Sequence, residues 1–510
     1  MVHNNFWNLL EIHGNYNKFR YLHGVEMEYF LLDQDFSPVK NNRDLKSLVK
    51  KTFPLIKEKL EKNKKFNNKV LNLGISTDKL LKNRDNERDS KKIKTIYIQY
   101  KQDYYNVETS PIDIIGKDTH IGTGSFITLE LVTPPCCSAN ELTWWIKTLI
   151  SSTLEACERL GFRILLNAGH PKIENNFCGE HHHIGIANEN QRLKTYNVLR
   201  WFLPLLSIFS YSHFQNNKNQ QMNLQEDLFQ TKISNQFIRC VRLKNTNQIK
   251  PVAPLENLDK KEFSEKIGIN IDSCRMVDLY PFTEYDTLEV RIFDTQISIA
   301  RSVGIAILIQ AISEFAFDLN KDYIRVISKI FNKKLYDLKR REYIRKGLLA
   351  LQRKHLYRSF FNHLKKVCEL CSKNENCDKN NLSTLNCSFE SENALIHNLI
   401  SYLLFPKRFK IKNQYYGDLK NKITAKDSII QFLHIIKPYI NKLGLNQSIT
   451  IKILKNTLKA NFTPSMYWLI KFKQKDDLQS YFKEVYNYQK KIFSDNGIIW
   501  GEFYDPFLEI

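Results

Sequence analysis

The stretch GVEMEYFLLD, residues 24–33, restricts the fold more than any other part of this chain. Val25, Met27, Tyr29, Phe30, Leu31 and Leu32 have the bulk and stiffness that strands favour, which predicts a strand over 22–33. Glu26 and Glu28 interrupt it two residues apart. Side chains alternate faces along a strand, so both carboxylates share one face, about 7 Å apart. Two like charges beside a core are costly unless a positive group lies between them. A fold that keeps this strand inside must therefore supply a cation there.

Three further segments repeat the pattern. TLELVTPP carries a single Glu130 among apolar residues, on one face with Thr128 and Val132. TLEVRIFD places Glu289 and Arg291 on one face, and in GEHHHIGI His181 and His183 share a face while His182 joins Glu180 on the other. Each has an ordinary reading by itself. A lone strand glutamate is usually solvated, and a Glu–Arg pair two apart is usually a surface ion pair contributing under about 1 kcal/mol. Three histidines would suit zinc, with Cys178 the nearest further ligand. Taken together, four strands contribute carboxylate or imidazole and every carboxylate is a glutamate. That donor set fits Mg(II) or Mn(II) better than zinc. Such cations would bridge nucleotide phosphates, with Arg291 neutralising charge on a transferring phosphoryl group. No Gly-x4-Gly-Lys-Ser/Thr loop or kinase-like glycine loop is present, so the usual backbone cradles for phosphate are absent.

The rest of the chain reads as α+β. Strands are expected over 95–100, 126–133, 181–186 and 287–294. Ser138 with Glu141 three residues on announces a helix that Gly161 ends. Helices are also expected over 43–63, about 191–211 and 298–318. Beyond 320 helical periodicity dominates, over 322–367, 390–404, 426–443 and about 464–493. The expected division is an N-terminal core of sheet and helices over 1–320, with a polar insertion at about 36–93, and an α-helical region over 321–510 that packs on it.

Composition narrows the function classes. A net charge of +22 makes polyanionic partners plausible, although the lysines are scattered among Asn and Glu as on solvated helix faces. No run reaches the ~20 apolar residues of a membrane span. The segment 302–317 is interrupted by Gln310 and Glu314, which suits a buried helix. Ten cysteines in 510 residues make no disulfide framework, and the N-terminus lacks a signal-peptide pattern, so a cytoplasmic location is expected.

GVEMEYFLL, LELVTPPCCSANEL, GHP…CGEHHHIGI, YNVLRWFLPLLSIFSYS and TLEVRIFDTQISIARSVGIAILIQA occur in the order and approximate spacing of a known family. Over roughly 20–320 the chain resembles the carboxylate–amine ligases of glutamate–cysteine ligase family 2, relatives of glutamine synthetase. The resemblance implies a curved antiparallel sheet holding ATP and metal ions over its concave face. It implies phosphorylation of a substrate carboxylate, commonly the γ-carboxylate of glutamate, followed by attack of an amine, with cysteine the first candidate. By motif, Glu26, Glu28, Glu130 and Glu289 would hold Mg(II) or Mn(II), and His181 or His183 would serve the metal and the nucleotide. Arg291 would face the phosphates, with Glu289 beside it at the reacting centre. Arg239 and Arg242 would be the candidates for holding a substrate carboxylate. The family usually has a further acidic residue shortly before the LE-x-x-TP strand, and HIGTGSFIT (120–128) supplies none. The alternatives are the same chemistry with another amine, or a degenerate ligase fold that binds nucleotide or RNA.

Two remaining features have bland readings beside functional ones. Cys368, Cys371, Cys377 and Cys387 contain one Cys-x2-Cys pair, but the second half lacks its own. The basic segment 329–366 would suit RNA or an anionic membrane, yet its apolar stripe more often packs on the protein while the charges are solvated. Homo-oligomer formation is left open.

Overall fold

Strand β1 (His23–Leu32) lies at the centre of an antiparallel sheet because its sequence satisfies both neighbours. Val25, Met27 and Tyr29 are buried on one face, while Glu26 and Glu28 alternate onto the other. The remaining strands are β2 (Ile96–Gln102), β3 (Tyr105–Lys117), β4 (Phe126–Val132), β5 (Arg163–Ile164), β6 (Gly179–Gly185), β9 (Leu279–Tyr280) and β10 (Thr287–Asp294). The sheet order is β2-β3-β4-β1-β6-β10-β9, with β5 pairing the end of β1; a separate short pair joins β7 (Gln215–Asn216) to β8 (Phe237–Ile238). The computed structural model describes residues 19–39, 51–52, 54–55, 58, 96–102, 105–117, 126–166, 168–170, 178–210, 215–216, 237–238, 249–270, 276–283, 287–319, 321–346, 425–444, 449–460 and 477–493. The expected helix over 390–404, and all but fragments of the one over 43–63, lie outside them.

The architecture is α+β, an antiparallel sheet flanked by helices, as the sequence implies. Helix α1 (Ala139–Arg159) starts where Ser138 accepts the Glu141 N–H at 3.1 Å. The capping glutamate reaches one residue further back than a standard capping box, taking the Cys137 N–H at 2.7 Å. Cys136 and Cys137 thus belong to the helix entry, and burial pushes the Cys136 thiol well above its ordinary value. Gly161, at φ +77, closes the helix against the Gln34 side chain. Helix α2 (Glu189–Leu206) begins at Asn188, and α3 (Lys260–Ile267) runs from Asp259 to Gly268.

Helix α4 (Ile299–Asp318) is the hub behind the sheet, buried on all sides except near its last residues. Among the described helices it alone is long and apolar enough to cross a membrane, but here it is a core helix. Its polar residues tie it to separate elements. Glu314 pairs with Arg20 and with Lys442, each at 2.9 Å, and Arg301 donates to Thr457 at 3.0 Å. Helices α5 (Lys321–Ile330) and α6 (Lys333–Lys346) occupy the start of the expected 322–367 helix. They part because Asn332 accepts the Leu335 N–H at 3.0 Å and so begins a new helix. On α6 the stripe Tyr336, Arg340 and Tyr343 is buried, and Arg340 pairs with Asp278 at 2.8 Å.

Three C-terminal helices complete the core: α7 (Ala425–Lys442), α8 (Ile449–Ala460) and α9 (Leu478–Phe493). Helices α7 and α8 pack on α4, and α9 packs on α1. Gln489 of α9 caps the sheet edge, donating to Ile164 O at 3.1 Å and accepting from Leu166 N at 3.0 Å. One hydrophobic core therefore runs from Phe19 to Tyr486.

Candidate metal and phosphate site

The register of five strands gathers the acids predicted from alternation. Across β10, β6 and β1, Glu289 stands opposite His183, which stands opposite Gly24. In the next row His181 faces Glu26, and Glu26 faces Val132. In the third row Glu28 faces Glu130, and Glu130 faces Asp113 of β3. Directly paired residues of an antiparallel sheet lie on one face, so these rows form a single acidic surface.

Side-chain distances draw the first two rows together. His181 Nδ1 lies 3.0 Å from Glu26 Oε2 and 3.6 Å from Glu289 Oε1. His183 Nε2 lies 3.2 Å from Glu26 Oε1 and 3.9 Å from Glu289 Oε1. The His183 ring is oriented from behind, since its Nδ1 lies 3.0 Å from the Thr287 hydroxyl, itself 2.9 Å from that of Thr283. Glu289 also pairs with Arg291, which sits where β10 bulges against β6 between Val290 and Phe293. Glu28 is more closely held, one of its oxygens accepting the Gly179 N–H at 2.7 Å.

The charges are mutually adjusted. Burial alone would raise the Glu26 carboxyl, but the His183 charge and hydrogen bonds from His181 and His183 outweigh it, leaving it well below its ordinary value. Burial would lower His183, yet Glu26 and Glu289 hold it above its ordinary value. Glu289 is lowered because Arg291 and His183 overcome its desolvation. Arg291 is desolvated but kept charged by Glu289, Glu26 and Glu28.

Two triads have the spacing of cation ligands. Glu26, His183 and Glu289 form one, and Glu26, Glu130 and His181 form the other, each with ligand atoms within 4.8 Å of one another. Both share Glu26, and carboxylates with imidazole suit a divalent cation. A buried donor stands beside them: Arg291 Nε has no hydrogen-bond partner among the described residues. These residues fit one or two divalent ions next to an anionic oxygen.

Of the residues singled out from sequence, Glu26, Glu130, Glu289, His181 and His183 come together in these triads, with Arg291 adjoining and Glu28 in the neighbouring row. His182 takes the opposite face with Glu180, as alternation requires, and Cys178 belongs to neither triad. Arg239, Arg242, Cys368, Cys371, Cys377 and Cys387 lie outside the described residues. The backbone register adds one acidic position that the sequence analysis does not single out, Asp113, paired with Glu130. Its signal was the same one that marked Glu130, an acid between apolar neighbours in PIDIIG.

No protein-family model matches the chain, and no curated protein matches it. Among solved structures it is similar to a bifunctional glutathione synthetase from Pasteurella multocida, at 11% identity and TM-score 0.44, over 96% of this chain and 53% of that one. The chain thus spans about half the length of that protein. It is similar to a glutamate–cysteine ligase from Francisella tularensis in complex with AMP, at 11% identity and TM-score 0.46, over 94% of this chain and 90% of the other. The ligase PafA in complex with the ubiquitin-like protein Pup also matches, at 11% identity and TM-score 0.31, over 96% of this chain and 70% of that one.

Proposed function

We propose that this chain is an ATP-dependent carboxylate–amine ligase that forms a γ-glutamyl amide through an acyl phosphate, with glutamate–cysteine ligation the first candidate. The observation that carries this reading is the pair of triads sharing Glu26, with the partly buried Arg291 guanidinium against Glu289. A single acid cluster would suit any cation. Two adjoining cation positions beside a partly buried arginine suit a polyphosphate whose terminal group is to be moved.

Glu26, Glu130, His181, His183 and Glu289 would hold Mg(II) or Mn(II), with Glu28 in support. When bound there, the ion supplies charge neutralisation and polarisation of the γ-phosphoryl group. The substrate carboxylate oxygen attacks the γ-phosphorus and ADP departs. The amine nitrogen then attacks the acyl carbon, the carbon–oxygen bond to phosphate breaks, and the amine gives up a proton. Arg291 would balance charge on the equatorial oxygens of the moving phosphoryl group, and Glu289 would hold that guanidinium in place. Arg239 and Arg242 remain the candidates for a substrate carboxylate, and residues 1–320 the proposed catalytic core.

The test is ADP release with glutamate and a panel of amines, cysteine first, with and without Mg(II). Amine-dependent turnover that Arg291→Met and Glu289→Gln each reduce by about 100-fold or more supports the reading. Absence of turnover with every amine, together with salt-sensitive RNA binding, overturns it in favour of a degenerate ligase fold.

A further inference from the structure

Behind the acidic face a second chain of polar groups crosses the sheet. The Tyr21 backbone fixes the Gln310 amide on α4: Tyr21 N–H donates to Gln310 Oε1 at 3.2 Å, and Gln310 Nε2 donates to Tyr21 O at 2.8 Å. The same Nε2 faces His23 Nδ1 at 3.4 Å, so that ring nitrogen accepts. His23 then carries its hydrogen on Nε2, which donates to His182 Nδ1 at 3.0 Å. His182 donates from Nε2 to Glu180 Oε1 at 2.9 Å, and the Ser302 hydroxyl on α4 lies 2.8 Å from Glu180 Oε2. Burial raises the Glu180 carboxyl to about 8, but a proton on Oε2 leaves Oε1 an acceptor, so the direction is unchanged. All five side chains are buried.

Such a chain is a costly way to fill a core, since apolar side chains would fill the same volume without desolvating polar groups. What it supplies is register. In a run of three histidines a one-residue slip of β6 still puts imidazole on both faces, so among the strand's own residues the buried Ile184 and the adjoining Ile186 are what alternation sets against it. After the slip, however, the back face would carry Gly179, His181 and His183 and no carboxylate. His23 would meet an imidazole with no terminal acceptor, and Ser302 would lose Glu180.

We propose that His23, His182 and Glu180 are positioning residues, whose directed hydrogen-bond chain between Gln310 and Ser302 fixes β6 in the one register that presents His181 and His183 together to Glu26. This rests on the cation reading of the front face. The test uses Mn(II) binding, followed by electron paramagnetic resonance of the free ion, with folding followed by circular dichroism. His23→Leu removes the donor to His182, whereas His23→Gln keeps an N–H close to the position of Nε2. His23→Leu is expected to weaken Mn(II) binding by about tenfold or more, the range that supporting-shell changes span, and His23→Gln by under about threefold. A third variant, Ile309→Ala on α4, controls for lost stability by lowering the melting temperature without touching the chain. Binding by His23→Leu equal to wild type, or an equal weakening in Ile309→Ala, overturns the proposal. If His23→Leu does not fold, Ser302→Ala cuts the far end and is judged by the same criterion. Wild type that binds Mn(II) no better than Glu26→Gln overturns the cation reading itself, so the two failures are distinct.

Discussion

Glu26 stands between two imidazoles and belongs to both cation triads, so its environment and that of His183 set how the site responds to pH. Metal-free, the raised His183 contributes stability that is full below its unfolded value and lost as pH rises through its folded one. The depressed Glu26 contributes stability present above its unfolded value and lost as pH falls through its folded one. A cation must displace the His183 proton, so binding strengthens as pH rises. Mn(II) titrations should show affinity at least about tenfold higher near pH 8 than near pH 6, with proton release seen as a dependence of the calorimetric heat on buffer. A pH-independent affinity would remove His183 from the ligand set. Asp113 is a second residue-scale case, at the register position opposite Glu130 in the row that also holds Glu28. Asp113→Asn is expected to raise the Mg(II) concentration needed for half-maximal turnover by about tenfold with little change in melting temperature. An unchanged Mg(II) dependence would place Asp113 outside the site.

Legibility from sequence followed how far each element obeys a single period. The acid-bearing strands β1, β4 and β10 could be read because alternation set their carboxylates against a buried apolar face. Strand β3 escaped because Pro111 and Gly116 argue against a strand, yet its register with β2 shifts between Ile96 and Ile98, opposite Pro111, where no ladder donor is needed. Helix α8 escaped because ITIKI alternates like a strand; only Leu454, Asn456, Thr457 and Leu458 complete its helical face. The pairing of β6 in HHHIGI was a matter of tertiary contacts, settled by Glu26 opposite His181 and Glu180 opposite Met27. The same α8 shows why α4 carries a glycine in mid-helix. A Cβ on Gly304 would lie 3.0 Å from Leu454 Cδ1 and 3.4 Å from Thr450 O. Gly304→Val should therefore cost about 1–3 kcal/mol in urea unfolding through overpacking, with Gly304→Ala costing less. A Gly304→Val protein as stable as the parent would mean that α8 does not press on α4 there.

Over the whole molecule the charge of the site and the charge of the scaffold oppose each other. Glu26, Glu28, Glu130 and Glu289 share one face with Arg291, so the metal-free surface repels a polyphosphate, the ligand proposed here, at short range. The chain as a whole carries +22, which attracts the same ligand from a distance. Among the described residues of α7 and α8, Lys437, Lys442, Lys452, Lys455 and Lys459 are exposed. On α6 the buried Arg340 is matched by Asp278, while Arg341 remains half exposed beside Asp337. The two fields differ in range, and salt separates them. The Debye length falls from about 10 Å at 0.1 M to about 3 Å at 1 M, so added salt removes the distant attraction before it weakens contacts inside a buried site. In the proposed ligase, raising sodium chloride from about 0.05 M to about 0.5 M should increase the KM for ATP several-fold and leave kcat within about twofold. A fall in kcat at constant KM would place the salt-sensitive charges at the reacting groups instead. A flat response in both would free the basic surface for a different polyanion, and salt-sensitive RNA binding by the Glu289→Gln variant would then identify its class, because that change leaves the surface intact while disabling the phosphate site.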